Sequence, residues 1–148
     1  MVMRRANHIG YVSRNIWIGS ADELADERGP DTYGSVRAQL EDKTRLLSLS
    51  NGRWLVQLPD SFGFAAEFKS EKDARLYFGL VDRVGPFSTG ESPTQNVPLE
   101  VAREGKDALA AYLLVGAGVR NSRAFVASKL GVSEQTVSNY ANRVRFSG

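Results

Sequence analysis

Five hydrogen-bonding side chains recur at helical spacing near the C-terminal end of the chain: Glu134, Gln135, Ser138, Asn139 and Asn142. Residues three or four positions apart share one face of a helix, so this spacing predicts a polar stripe. Glutamine and asparagine amides can make two hydrogen bonds to adenine, glutamate can accept from cytosine, and serine can bond several bases or a phosphate. The stripe therefore predicts contacts with the base edges of double-stranded DNA.

Cationic side chains surround this polar stripe. Residues 116–148 contain one acid and five cations, a net charge of +4, and the cations are Arg120, Arg123, Lys129, Arg143 and Arg145. Residues 1–97 instead carry 12 basic and 13 acidic side chains. Since the whole chain has a net charge of only +2, positive charge is concentrated at its C-terminal end, as expected for a surface that contacts phosphates.

Two short helices joined by a tight turn are predicted to position these side chains. Asn121 or Ser122 can cap the first helix, and Gly131 suits the left-handed residue that ends it. Ser133 can then cap the second helix, which is predicted over Glu134–Arg145. Three connecting residues force the helices to cross steeply, which requires a small side chain, Ala127, at the crossing and apolar residues to fill the angle: Val126, Leu130, Val132, Val137 and Tyr140.

A preceding helix, Lys106–Gly116, is predicted to complete a trihelical core. It places three apolar residues on one face: Leu109, Tyr112 and Leu113. Gly116 and Gly118 are interpreted as its C-terminal cap, because they follow a helix and lack the further glycine and the lysine of a phosphate-binding loop.

The segment Val126–Tyr140 resembles the helix-turn-helix of bacterial and archaeal transcription regulators. The match is to the superfamily and rests on Ala127, Gly131, Val132, Ser133, Thr136, Val137 and Tyr140. It extends over residues 106–145 at most. The resemblance implies that Glu134, Gln135 and Asn139 read bases, and that the start of the first helix meets phosphate at Asn121, Ser122 and Arg123.

The predicted contacts with DNA divide into two sets. The base contacts are the five residues of the polar stripe. The phosphate contacts are predicted at Arg120, Asn121, Ser122, Arg123, Lys129, Ser133, Thr136, Arg143 and Arg145.

Residues 1–84 are predicted to form an α+β module. The sequence favours a strand within residues 9–19 and a short helix from Ser20 to about Arg28. Residues Lys43–Leu58 predict a hairpin, because Asn51-Gly52 suits a type I′ turn between alternating strands. Apolar residues at every second position indicate a third strand: Phe62, Phe64, Ala66 and Phe68. An apolar stripe at helical spacing indicates a helix that covers the sheet: Ala74, Tyr77, Phe78 and Val81.

The predicted fold class is α+β, with a small antiparallel sheet under helical cover followed by a trihelical helix-turn-helix. Residues 85–97 are rich in Gly, Pro, Ser and Thr and are predicted to be a linker. The predicted domains are therefore residues 1–84, which serve dimerisation, ligand binding or partner binding, and residues 98–148, which bind DNA.

Composition argues against enzymatic chemistry. The chain has no cysteine and one histidine, His8, so thiolate and histidine-based metal sites and a histidine-based triad are not expected within one chain. No catalytic residue, metal or cofactor is predicted. Because no apolar run approaches the length that spans a bilayer, and the N-terminus lacks the apolar stretch of a secretory signal, we expect a cytoplasmic protein without membrane contact.

These observations predict a sequence-specific DNA-binding protein, a transcriptional regulator that acts as a homodimer with its second helix in the major groove. Two alternatives remain open. One is an accessory protein of a plasmid, phage or recombination system that only docks on DNA. The other is a protein-interaction module that uses the helix pair as a docking surface, or a small enzyme in which the pair is structural.

Overall fold

The computed structural model describes residues 5–6, 10–11, 16–18, 32–59, 65–87, 97–117 and 120–147. The fold is α+β, as predicted. The chain divides into two compact units, with the division between Ala74 and Arg75. The first unit contains the strands and the second contains nearly all of the helical residues.

Strands of the first unit form a sheet of five in the order β3-β4-β5-β6-β7. Neighbours from β4 to β7 are antiparallel, whereas the short β3 pairs in parallel with the start of β4. A separate two-stranded pair joins β1 and β2. The strand bounds are β1 Arg5–Ala6, β2 Gly10–Tyr11, β3 Ile16–Ile18, β4 Thr32–Gln39, β5 Arg45–Leu49, β6 Trp54–Gln57 and β7 Ala65–Phe68.

The hairpin predicted over Lys43–Leu58 is formed by β5 and β6, but its turn is not of type I′. Gly52 has a positive φ of 87°, whereas Asn51 does not lie in the left-handed region. The Gly52 amide donates to the Leu49 carbonyl at 3.0 Å, and the Leu49 amide donates to the Arg53 carbonyl at 2.8 Å. This is a three-residue loop with glycine at its left-handed position. The side chain of Asn51 accepts from the Arg53 amide at 3.0 Å, an alternative bond that the sequence pattern did not predict.

The central strands are buried on both faces. Leu46 and Leu47 point to opposite faces of β5, and both have 0% of their surface exposed. All four positions of β7 are buried, including Glu67, whose carboxylate lies 2.7 Å from the Arg53 guanidinium. Burial raises the pKa of the Glu67 carboxyl, and the Arg53 charge offsets part of that effect.

Some predicted elements fall outside the described residues. These are the short helix from Ser20 to Arg28, the first two aromatic residues of the third strand, Phe62 and Phe64, and residues 88–96 of the predicted linker. Two parts of the predicted N-terminal strand are described, β2 and β3; both are extended, but they belong to different sheets.

Helix α1, Glu71–Val84, begins after Ser70, whose hydroxyl caps it by accepting from the Asp73 amide at 3.2 Å. The predicted apolar stripe is buried. The division into two compact units falls within this helix, so Arg75–Val84 belong to the second unit. The third residue of the predicted linker belongs to the core, since Phe87 is 1% exposed and packs between the rings of Tyr77 and Tyr112.

The second unit continues with α2 Leu99–Glu104, α3 Lys106–Ala111, a π-helical turn Tyr112–Gly116, α4 Arg123–Leu130 and α5 Glu134–Val144. Gly116 lies inside the π-helical turn and is not the predicted cap; Ala117 ends the turn. A Cβ atom on Gly116 would lie 3.1 Å from the Tyr112 ring and 3.3 Å from the Phe87 ring. Close aromatic packing therefore explains this glycine.

Candidate nucleic-acid interface

The turn between α4 and α5 has the predicted geometry. Ser122 caps α4 by accepting from the Phe125 amide at 3.1 Å, and Ser133 caps α5 by accepting from the Thr136 amide at 3.1 Å. Gly131 ends α4 in the left-handed conformation, with φ 68° and ψ 37°. Both caps and the left-handed glycine depend only on neighbouring residues, which explains why the sequence predicted them.

Apolar side chains fill the angle between the two helices. Val126 of α4 and Val137 of α5 are completely buried, and Ala127 at the crossing is 8% exposed. Ala141 and Val144 extend the buried face of α5, while Leu130, Val132 and Tyr140 are half-buried. Because this face of α5 points into the core, its opposite face is available for contact with another molecule.

The exposed face of α5 carries most of the predicted base-contacting residues. Its exposed side chains are Glu134, Gln135, Asn139, Asn142 and Arg143. Ser138, the remaining member of the predicted set, is half-buried, and its hydroxyl accepts from the Arg123 guanidinium at 2.8 Å. The structure thus brings four of the five predicted base contacts to one exposed surface.

Hydrogen bonds orient the amides on this face. Gln135 Nε2 donates to Asn139 Oδ1 at 3.1 Å, one helical turn further on. Arg145 donates to Asn142 Oδ1 at 2.6 Å. Since each bond restricts two side chains, the surface presents its polar groups in a defined arrangement before any ligand binds.

Several predicted phosphate contacts have structural roles. The Asn121 side chain donates to the Leu113 carbonyl at 2.7 Å, and its backbone amide donates to the Leu114 carbonyl at 3.1 Å. These bonds give hydrogen-bond partners to carbonyls within the π-helical turn. Ser122 and Ser133 serve as caps, and the Ser133 and Thr136 hydroxyls are hydrogen-bonded to each other at 2.9 Å.

The cations are arranged around the two helices. Arg120, Arg123, Lys129 and Arg143 are exposed, and Arg145 is half-buried. The Lys129 ammonium lies 5.5 Å from the centre of the Phe125 ring, and the Arg143 guanidinium lies 5.6 Å from that of Tyr140. Such cation–π contacts hold the charged groups beside the two rings, while both residues remain exposed and accessible to an anion.

The C-terminal end of α5 is held by α1, an interaction that the sequence did not reveal. The Phe146 amide donates to the Arg75 carbonyl at 3.1 Å, and the Phe146 ring meets Phe78 edge-on with centroids 4.8 Å apart. A Cβ atom on Gly79 would lie only 1.9 Å from the Val144 carbonyl oxygen. A glycine within the apolar stretch of α1 was the available signal, but it did not identify its partner.

A second contact joins α1 to the start of α3. The Arg83 guanidinium donates to both carboxylate oxygens of Asp107, at 3.0 and 3.4 Å. Burial alone would raise the pKa of the Asp107 carboxyl, but hydrogen bonds from Arg83 and from the Ala108 amide lower it below its ordinary value. Helices α1 and α3 thus form part of one scaffold with the helix pair.

Within the ranges described above, no group of three or more histidine, cysteine or acidic residues could hold a metal ion, and no helix is long and apolar enough to cross a membrane. Comparison of the chain with protein-family models, with curated proteins and with solved structures finds no match. The exposed face of α5, through its geometry and chemistry, is therefore the feature that points to a function.

Proposed function

We propose that this protein is a sequence-specific double-stranded DNA-binding regulator that places α5 in the major groove. The observation that carries the proposal is the exposed polar face of α5, presented by a short capped turn with a left-handed glycine. The major groove is about 12 Å wide and admits an α-helix with its side chains. Amide side chains on that face can then reach base edges.

The distribution of charge also supports DNA contact at this surface. The segment of residues 116–148 has a net charge of +4, and the exposed Arg120, Lys129 and Arg143 lie on or beside the helix pair. In this proposal cations contact phosphates and set the position of the protein, whereas Gln135 and Asn139 contact bases.

The proposed assembly is a homodimer. A single helix-turn-helix buries on the order of 600–1,000 Å² of protein surface on DNA, which seldom suffices for specific affinity. Two copies would bind half-sites roughly 34–36 Å apart on a palindromic site. We assign the dimer contact, or binding of a small molecule or partner protein, to the N-terminal unit.

Binding to random-sequence duplexes, measured for the full-length protein at several salt concentrations and followed by selection from a random pool, tests the proposal. Affinity that falls with salt and enrichment of an inverted repeat would support a dimeric regulator. Salt-sensitive binding without an enriched sequence would favour an accessory protein that docks on DNA. Absence of binding at low salt would contradict DNA binding and favour a protein-interaction module.

Arg143→Ala separates the two kinds of contact. Loss of one phosphate contact should weaken binding to every sequence and lower the salt slope by about one, because fewer counterions are released. Salt titrations on the selected site and on a random duplex measure both effects. Asn142→Ala is the matched control, since it truncates the neighbouring exposed side chain without removing a charge; an unchanged slope for Arg143→Ala would contradict the phosphate contact.

A further inference from the structure

Gln135 and Asn139 form a hydrogen-bonded pair on the exposed face of α5, with Gln135 Nε2 donating to Asn139 Oδ1 at 3.1 Å. Both side chains are exposed, so the bond lies on the surface that the proposed function assigns to DNA. We infer that the two amides act as one reading unit that recognises a single adenine in the major groove. This inference rests on the proposed function and adds a base preference to it.

The groups that the pair leaves unused match adenine. Their mutual bond uses one N–H of Gln135 and one lone pair of Asn139, so the Gln135 carbonyl remains as an acceptor and the Asn139 N–H groups as donors, besides one further N–H of Gln135 and one further lone pair of Asn139. Adenine presents a donor at N6 and an acceptor at N7. Guanine presents two acceptors, so it could accept from the remaining N–H groups but would leave the Gln135 carbonyl without a donor, which makes it a poorer match than adenine.

The same pattern holds if both amides are reversed. Asn139 would then donate to the Gln135 carbonyl, leaving an acceptor on Asn139 and a donor on Gln135. Either arrangement leaves an acceptor on one residue and a donor on the other. The match to adenine therefore follows from the pairing itself and not from the direction of the hydrogen bond.

Local structure holds the pair in place. The Ser133 hydroxyl accepts from the Thr136 amide at 3.1 Å and is hydrogen-bonded to the Thr136 hydroxyl at 2.9 Å, which fixes the first turn of α5. Each amide of the pair also restricts the rotamers of the other, so less side-chain entropy is lost on binding. Asn142, also a predicted base contact, is bonded by Arg145 instead, so its substitution should relax a different position from the one that the pair reads.

Selection from a random pool, carried out with the wild-type protein and with Gln135→Ala, Asn139→Ala, the double variant and Asn142→Ala, tests the inference. We expect the wild type to enrich adenine at one position of each half-site. Each single variant of the pair should lose the preference at that same position and bind the selected site roughly 5- to 150-fold more weakly. The double variant should bind about as weakly as either single one, and Asn142→Ala should keep the adenine.

Asn139→Asp provides a second readout. The new carboxylate can still accept from Gln135 but has no N–H for adenine N7, so the preference at the shared position should move toward cytosine, which offers a donor. All the substituted side chains are exposed, and equal thermal melting of the variants checks that each is folded. Retention of adenine by Asn139→Asp would overturn the inference.

Other outcomes are also decisive. If Gln135→Ala and Asn139→Ala relaxed two different positions, or if their losses multiplied in the double variant, the residues would be separate readers and the inference would be wrong while DNA binding stood. Enrichment of another base at a shared position would also overturn it. If the wild type selected no sequence, the proposed specific regulator and the inference would fall together.

Discussion

The two ends of α5 are held in different ways. At its N-terminal end, the turn is made within residues 131–133. Gly131 has a left-handed backbone, and the Ser133 side chain caps α5. At its C-terminal end, the chain packs on α1, where Phe146 meets Arg75 across a separation of 71 residues. The first arrangement depends on local chemistry, whereas the second depends on the fold of the whole second unit.

This difference shows how a recognition surface of this kind is built. A capped turn sets where α5 begins and which face of it is polar. The contact of Val144 and Phe146 with α1 holds the far end and so helps to determine the direction of the helix axis. Substitutions at the two ends should therefore have different effects, and the following variants compare them.

Gly79→Ala should have the largest effect. Its Cβ atom would lie 1.9 Å from the Val144 carbonyl oxygen, a backbone atom that cannot move without displacing the end of α5. We expect the free energy of unfolding to fall by about 3 kcal/mol or more, at the upper end of overpacking costs. Urea denaturation measures this change. Asp82→Ala, at an exposed position of the same helix, is the control and should be nearly neutral; equal stability of the two variants would refute the contact.

Gly131→Val should have the next largest effect, through the backbone alone. Its φ is 68°, and an added Cβ would meet nothing within 4 Å, so side-chain collision is not the cause. A β-branched residue in the left-handed region should reduce the free energy of unfolding by about 2 kcal/mol. Gly131→Asn is the matched control, because asparagine tolerates this conformation. Thermal melting compares them, and an unchanged melting temperature for the valine variant would contradict the cap assignment.

Ser133→Ala should cost about 1 kcal/mol, because the Thr136 amide loses the side chain that caps it. Ser133→Asp retains an acceptor at the cap and serves as the control. Chemical denaturation of both variants measures the difference. Equal losses for alanine and aspartate would show that the cap contributes little to the stability of the turn.

Asp107→Asn should have the smallest effect, at most about 1 kcal/mol, because the ion pair with Arg83 is partly exposed to solvent. The folded-state pKa of Asp107 is lowered, so its contribution is complete above the unfolded value of about 3.9 and is lost as pH falls through the folded value. The stability difference between wild type and variant should therefore be present at neutral pH and shrink below pH ~4. Denaturation across this range tests it, and a difference independent of pH would contradict the ion pair.

Much of the fold was predictable because its signals are local. The hairpin of β5 and β6, the start of α1 at Ser70 and both caps of the helix pair follow from short-range chemistry that neighbouring residues display. The predicted type of the hairpin turn was wrong, because the Asn51 side chain accepts from the Arg53 amide and, of these two turn residues, only Gly52 takes the left-handed conformation. One residue pair can support several turns, and the tertiary structure selects among them.

The candidate site divides in the same way. The polar face of α5 is visible in the sequence, because spacing of three and four residues defines a helix face. The structural role of Asn121 was not visible, since its partners are carbonyls within a π-helical turn that the sequence pattern did not predict. The bond of Arg123 to Ser138 likewise joins two helices and depends on their crossing.

The sequence by itself determined that the chain is α+β, where the helix pair turns, and which polar and cationic residues accompany it. Only the tertiary structure decided that the compact units divide between Ala74 and Arg75, and that α1 contacts the end of α5 at Gly79. The physical reason is the separation along the chain of the residues that interact. Caps, turns and helix faces depend on residues within about four positions of each other, whereas the packing of α1 depends on surfaces that meet only after the chain has folded.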